Sequence, residues 1–207
     1  MRATGLPVVA AIAVTALFAV ACATDKPDHP LDTYIEIDAV TILDAPNPVP
    51  GQFSPANRDF VARGKYMVEL LGCGACHTDG ALAGDPDFDR SLAGSQTGIA
   101  YANPLGDELP GVVYPPNITP EPTTGIGNWS DPQIASAIRA GIGRHGSRRI
   151  ASMPWPAYAK IYDDDVNAIV SYLRSIKPVV HQVPGRVEPG DRAKHPFVYF
   201  GVYRSKP

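Results

Sequence analysis

Residues 60–77 read FVARGKYMVELLGCGACH. Phe60, Val61, Gly64, Met67, Val68 and Leu71 recur at spacings of three and four, which predicts a helix with one apolar face. That helix runs directly into Cys73-Gly74-Ala75-Cys76-His77, a CxxCH signature. The signature is that of c-type haem attachment: both thiols add to porphyrin vinyl groups and the following histidine ligates the iron. Two residues between the cysteines let one helical turn span the vinyl-bearing edge, and the next residue can swing its imidazole under the metal. A redox dithiol would need a neighbouring strand-helix-strand pattern, which the sequence lacks. Half of a zinc site would need a second CxxC or paired histidines, and neither is present.

The remaining composition agrees with a small core carrying long connections. The 207 residues are 44% apolar and 19% charged, enough to bury a core. The 22 prolines force much of the backbone into extended or looped conformations. A net charge of −3 gives no global basic field, which excludes non-specific nucleic-acid binding as the main role. Three cysteines cannot build a disulfide scaffold.

The sixth iron position decides reactivity, since a closed His/Met site raises the potential and an open one binds small ligands. Beyond Met1, the methionines are Met67 and Met153. Met67 lies on the apolar period of the first helix and reads as core filling. Met153 stands in SMPWP, a proline-flanked loop free to cross the far face, and is the candidate axial ligand. His145 is the alternative ligand, because His29, His181 and His195 fall in flanking segments.

Residues 1–21 read as an export signal, with Arg2 before a long uncharged run. Cys22 follows as a candidate lipidation site and mature N-terminus. Lipidation, simple cleavage and an uncleaved membrane anchor all remain open. Residues 22–56 read as a proline-rich tether with one strand at TYIEIDAVTIL, and residues 57–178 as the folded domain. Residues 78–127 show no period and read as loops. Ser130 and Gln133 are spaced as a capping box for a second helix stopped by Gly141. A third helix starts at Asp163-Asp164-Asp165, buries Val166, Ile169, Val170, Leu173 and Ile176, and ends at Pro178. Residues 179–207 read as an extended tail.

The segments RGKYMVELLGCGACHT, PPNITPEPTTGIGNWSDPQIASAIRAGI and SMPWPAYAKIYDDDVNAIVSYLRSIKP resemble the monohaem cytochrome c family, especially the cytochrome modules of bacterial periplasmic and membrane-bound dehydrogenases. The resemblance implies a small all-α fold of three main helices around one covalent haem c. It further implies Cys73 and Cys76 as attachment points, His77 and Met153 as axial ligands, and one-electron traffic from a dehydrogenase to an oxidase or another cytochrome. Periplasmic location with membrane tethering follows, as does an electron-transfer role rather than an enzymatic one. Tyr162 departs from the family by standing where a serine helix cap is usual, and the loop from Ala81 to Pro110 is enlarged. Asn117 and Trp129 are candidates for bonding a haem propionate, although Trp129 reads first as a buried structural aromatic. Gly64 should meet Tyr172 and Leu173 at a close helix crossing. Arg139, Arg144, Arg148, Arg149 and Lys160 supply five charges without an acid between Pro132 and Tyr162, which read equally as a docking rim for an acidic redox partner or as a solvated face whose arginines neutralise the haem propionates. The rival function is a haem enzyme, a small peroxidase or oxygen-handling protein, with an open distal site and His145 as acid/base.

Overall fold

The computed structural model describes residues 44–101, 110–147 and 152–199, all within one compact unit, Ile37–Pro207. The export signal, Cys22, the strand expected at TYIEIDAVTIL, Arg148 and Arg149 lie outside the described residues, as do parts of the enlarged loop and of the aromatic tail. Among the described residues the order is α1 (Arg58–Leu70), α2 (Cys73–His77), β1 (Gly98–Tyr101), β2 (Gly111–Val113), α3 (Asp131–Ala140), α4 (Trp155–Tyr158), α5 (Asp163–Ser175) and β3 (Phe197–Tyr199). None of these helices is long and apolar enough to cross a membrane.

The three longer helices follow from their sequence patterns. α1 buries Val61, Gly64 and Val68 against α5. α5 buries Val166, Ile169, Val170 and Leu173, and its first turn holds Asp163, Asp164 and Asp165 at the positive end of the helix dipole. Tyr162 precedes it without a side-chain cap, so acids stand in for the missing serine. α3 carries the full capping box, with Ser130 N donating to Gln133 Oε1 at 2.8 Å and Gln133 N donating to Ser130 Oγ at 3.4 Å. It ends on Gly141 at φ 64°, a left-handed conformation that favours glycine.

The crossing of α1 and α5 is tight because Gly64 has no side chain. A Cβ there would lie 2.0 Å from Ala168 O and 2.7 Å from Tyr172 Cβ. The expected neighbour Tyr172 is present, and Ala168 rather than Leu173 makes the other close approach. Tyr172 is fully buried, and its hydroxyl donates to Pro46 O at 2.6 Å. Val49 N donates to Ser175 O at 2.7 Å and Ala45 N to Glu69 Oε1 at 3.2 Å. The chain between Ala45 and Val49 is thereby laid along the two helices, with Ala45 joining the core of Val61, Val68, Ile134, Ile169 and Leu173.

The sheet corrects the expectation of an all-α fold. Its order is β2-β1-β3. β1 pairs antiparallel with β2, Ile99 opposite Val113, and parallel with β3, Gly98 opposite Phe197. Val112 and Val187 exchange two further backbone bonds at 2.9 and 2.8 Å. A second small core of Ala100, Val112 and Tyr114 packs under Val183, Val187 and Ala193. The segment read as an extended tail is, over its described part, a cover for residues read as loops.

Two charged residues organise the connection into α3. Arg174 on α5 donates to Ile126 O at 3.1 Å, to Gly127 O at 3.2 Å and to Trp129 O, and pairs with Asp131. Glu121 accepts from the Thr124 hydroxyl at 2.6 Å, from the Thr123 amide at 3.0 Å and from the Thr124 amide. Those bonds, the hydroxyl foremost, pull the Glu121 carboxyl from 4.5 down to about 2. The folded value lies below the unfolded one, so the contribution is complete above about pH 4.5 and lost as pH falls toward 2. Glu121→Gln should therefore be less stable than the parent at neutral pH, with the difference shrinking steadily on acidification. Urea midpoints measured across this range check it, and a constant difference contradicts it.

Candidate functional site

The CxxCH signature forms a helix of its own. Gly72 adopts φ 66°, which breaks the chain after α1 and turns α2 off the axis that an uninterrupted helix would have kept. α2 ends at His77, which is 8% exposed. His77 Nδ1 lies 2.8 Å from Pro116 O. A carbonyl only accepts, so Nδ1 carries a proton and Nε2 is the nitrogen left to act as a ligand atom when the ring is neutral. This is the outer bond that orients a metal-ligating histidine.

The loop after His77 is wound around it. Gly94 N donates to His77 O at 2.7 Å and Ile118 N to Leu92 O at 2.9 Å. Leu92 N donates to Thr78 Oγ1 at 3.2 Å, which holds Leu92 in a left-handed conformation at φ 60°. Asp79 accepts from Gln96 N at 2.8 Å and pairs with Arg90 at 3.0 Å. His181, in a segment set aside as flanking, is buried here, with Nδ1 2.9 Å from Ala93 O.

Cys73 and Cys76 are thiols not joined by a disulfide. Burial, with Cys76 close by, pushes the Cys73 thiol up to about 12, and burial also raises Cys76.

A cavity of about 480 Å³ brings Cys73, Cys76, His77 and Met153 to one space. This lies within the range of about 300–1,000 Å³ usual for cofactor sites. A smaller apolar cavity of about 80 Å³ adjoins it, sharing Cys73, His77, Pro116, Met153 and Tyr158, and reaches Ile134, Ile138, Ile169 and Leu173 in the core. The four residues singled out from the sequence therefore line one continuous site. Met67 packs in the helical core, as its spacing implied.

Met153 is set by its neighbours. Its carbonyl accepts from Trp155 N at 2.7 Å, a tight turn leading into α4. The Trp155 ring sits over Gly141, where a Cβ would come within 2.7 Å of it. The Tyr158 hydroxyl donates to Leu71 O at 3.1 Å, tying α4 to the chain just before Cys73. Burial, then the nearby cysteines, pushes that hydroxyl up to about 12. Tyr158 thus links the two sides of the cavity. Nothing in its sequence position identifies it, because its partner is a backbone carbonyl.

Other expectations need correction. Asn117 cannot serve a propionate: its amide donates to Thr124 Oγ1 at 3.1 Å and Val179 O at 2.8 Å, while its oxygen accepts from the Thr119 amide and hydroxyl. All its capacity closes the 117–124 loop onto residue 179. Trp129 takes the structural role expected of it rather than a propionate contact: it packs against the helical core and lines the smaller cavity. His145 is exposed and lines neither cavity. Arg139 is paired with Asp163 of α5, which neutralises part of the basic rim.

The donor set fits haem c. Two adjacent thiols, an imidazole with its outer nitrogen anchored and a thioether surround an apolar space, with no metal-binding cluster of acids or histidines among the described residues to compete. Comparison with known proteins agrees. A family profile described as "Cytochrome c" matches residues 61–177. The fructose dehydrogenase cytochrome subunit of Gluconobacter japonicus is 38% identical over 125 residues, 60% of this chain and 23% of that protein. The cytochrome c subunit of the quinone alcohol dehydrogenase of Gluconobacter oxydans (strain 621H) is 36% identical over 128 residues, 61% of this chain and 24% of its own. The gluconate 2-dehydrogenase cytochrome c subunit of Pantoea cypripedii is 35% identical over 125 residues, 60% and 25% of the two chains. The matched part thus spans about a quarter of the length of each relative.

Proposed function

The chain belongs to the cytochrome c family, and we propose that it is a one-electron carrier with one haem c, exported to the periplasm and tethered to the membrane through Cys22 or an uncleaved signal. In this reading residues 1–21 are the export signal, 22–56 the tether, 57–178 the cytochrome domain and 179–207 a C-terminal extension. Electrons arrive from a dehydrogenase and leave to an oxidase or a second cytochrome. The relatives' printed roles as dehydrogenase subunits support the donor class.

Bound haem c supplies an iron centre that alternates between two oxidation states one electron apart. Cys73 and Cys76 would hold it by thioether bonds. His77 would ligate the iron, its ring fixed by Pro116 O. Met153 would supply a second iron ligand, on a turn fixed by Trp155 and by the Tyr158 bond to Leu71 O. Ligands held by rigid neighbours in both oxidation states keep rearrangement small, which speeds electron transfer. Ile134, Ile138, Ile169 and Leu173 exclude water from the inner side.

The observation that carries this reading is the convergence of Cys73, Cys76, His77 and Met153 on one cavity. A spectroelectrochemical titration of the purified protein should follow a single one-electron curve, and carbon monoxide should leave the reduced spectrum unchanged. Two waves would contradict a single haem, and prompt carbon monoxide binding would contradict a closed Met153 site.

A further inference from the structure

The larger cavity is bounded on one side by residues beyond the family match. Arg186 and Glu188, from the segment that covers the sheet, line it together with Ile99 and Tyr114. Arg186 is the one arginine or lysine among the described lining residues. Its guanidinium is placed by three contacts: 5.6 Å from the centre of the Tyr101 ring, 2.9 Å from the Tyr101 hydroxyl and 3.0 Å from Glu188 Oε2. The segment bearing it is fixed by the two bonds between Val112 and Val187 and by Tyr114, whose hydroxyl donates to His195 O at 3.2 Å.

We propose that Arg186 is a binding group for a carboxylate of the cavity's cofactor, delivered by the C-terminal segment rather than by the cytochrome domain proper. This rests on the haem reading above. A haem c brings two propionate carboxylates, and Arg186, 43% exposed beside Glu188 at the solvent-facing rim of the cavity, offers one of them a charged partner where the otherwise largely apolar wall ends. A planar guanidinium already held over an aromatic ring and bonded to its hydroxyl offers N–H donors with little further loss of side-chain freedom. Asn117, the amide that the sequence suggested for this task, is fully used elsewhere. Glu188 competes for the same guanidinium, so the pair sets how much positive charge the carboxylate meets. The segment therefore sets the potential as well as the shape of the site.

The test uses the full-length haem-loaded protein and its Arg186→Gln, Arg186→Lys and Glu188→Gln variants. In Arg186→Gln the propionate bending band of the resonance Raman spectrum should move. The oxidised form should be favoured by about twofold to tenfold, a fall in midpoint potential of at most about 59 mV. Arg186→Lys keeps the charge, so the potential should hold while the band still moves, because the paired geometry is lost. Glu188→Gln leaves Arg186 in place and should raise the potential, which keeps the test available if Arg186→Gln folds poorly. A potential that falls without any movement of the band would show a through-space charge and overturn the contact. Parent-like band and potential in a coloured Arg186→Gln protein would also overturn it. A parent protein without covalent haem would instead remove the reading beneath it.

Discussion

Met153→Ala should lower the midpoint potential by roughly 100 mV or more and let reduced iron bind carbon monoxide. Axial ligands command a span of about 0.8 V across haem proteins, and a thioether opposite histidine raises the potential by favouring the reduced metal. At 59 mV for each factor of ten, this shift is about fiftyfold in equilibrium constant. Alanine at residue 153 leaves the backbone bond from Trp155 N and the Tyr158 bond to Leu71 O in place, so the turn should persist and stability should change little. Met153 is half-buried at the cavity wall, and its loss opens space for a small ligand. Potentiometry together with carbon monoxide difference spectra checks this. An unchanged potential and spectrum would remove Met153 from the iron.

Gly64→Ala is expected to destabilise the fold by about 2–4 kcal/mol, at the upper end of what overpacking costs. The added methyl would lie 2.0 Å from Ala168 O and 2.6 Å from Ala168 C, backbone atoms in the middle of α5 that have no rotamer to change. Relief requires the two helices to move apart, which loosens Tyr172 and its bond to Pro46 O. Alanine's better helix propensity, worth about 1 kcal/mol over glycine, offsets only part of this. Gly72→Ala separates the two roles of glycine. Its φ of 66° strains an L-residue, yet a Cβ there meets nothing within 4 Å, so the cost should be only about 1–2 kcal/mol. Thermal melts of the two variants should differ by several degrees; equal melting temperatures would show that the crossing is not close-packed.

The helices were legible because each writes its buried face into local spacing. Val166, Ile169, Val170 and Leu173 define α5 with no knowledge of its neighbours, and Ser130, Gln133 and Gly141 mark both ends of α3. The sheet was not legible. β1 and β2 have four and three residues, too short for an alternation, and β3, the other partner of β1, lies far along the chain in a segment read as a tail. CxxCH and Met153, which the fold brings to one cavity, could be singled out because residue type alone restricts their chemistry. Tyr158, Arg174 and Asn117 could not be placed, since each acts on backbone carbonyls whose positions are set by folding. The break at Gly72, between the first helix and CxxCH, was not legible for a similar reason: glycine permits a left-handed turn without requiring one.

The most direct measurement is the absorption spectrum of the oxidised protein, purified after expression with haem-attachment machinery and extracted with acidified organic solvent. The account predicts colour that stays with the polypeptide and a low-spin ferric spectrum bearing a long-wavelength thioether charge-transfer band. An extractable pigment, a colourless protein or a five-coordinate high-spin spectrum would contradict it.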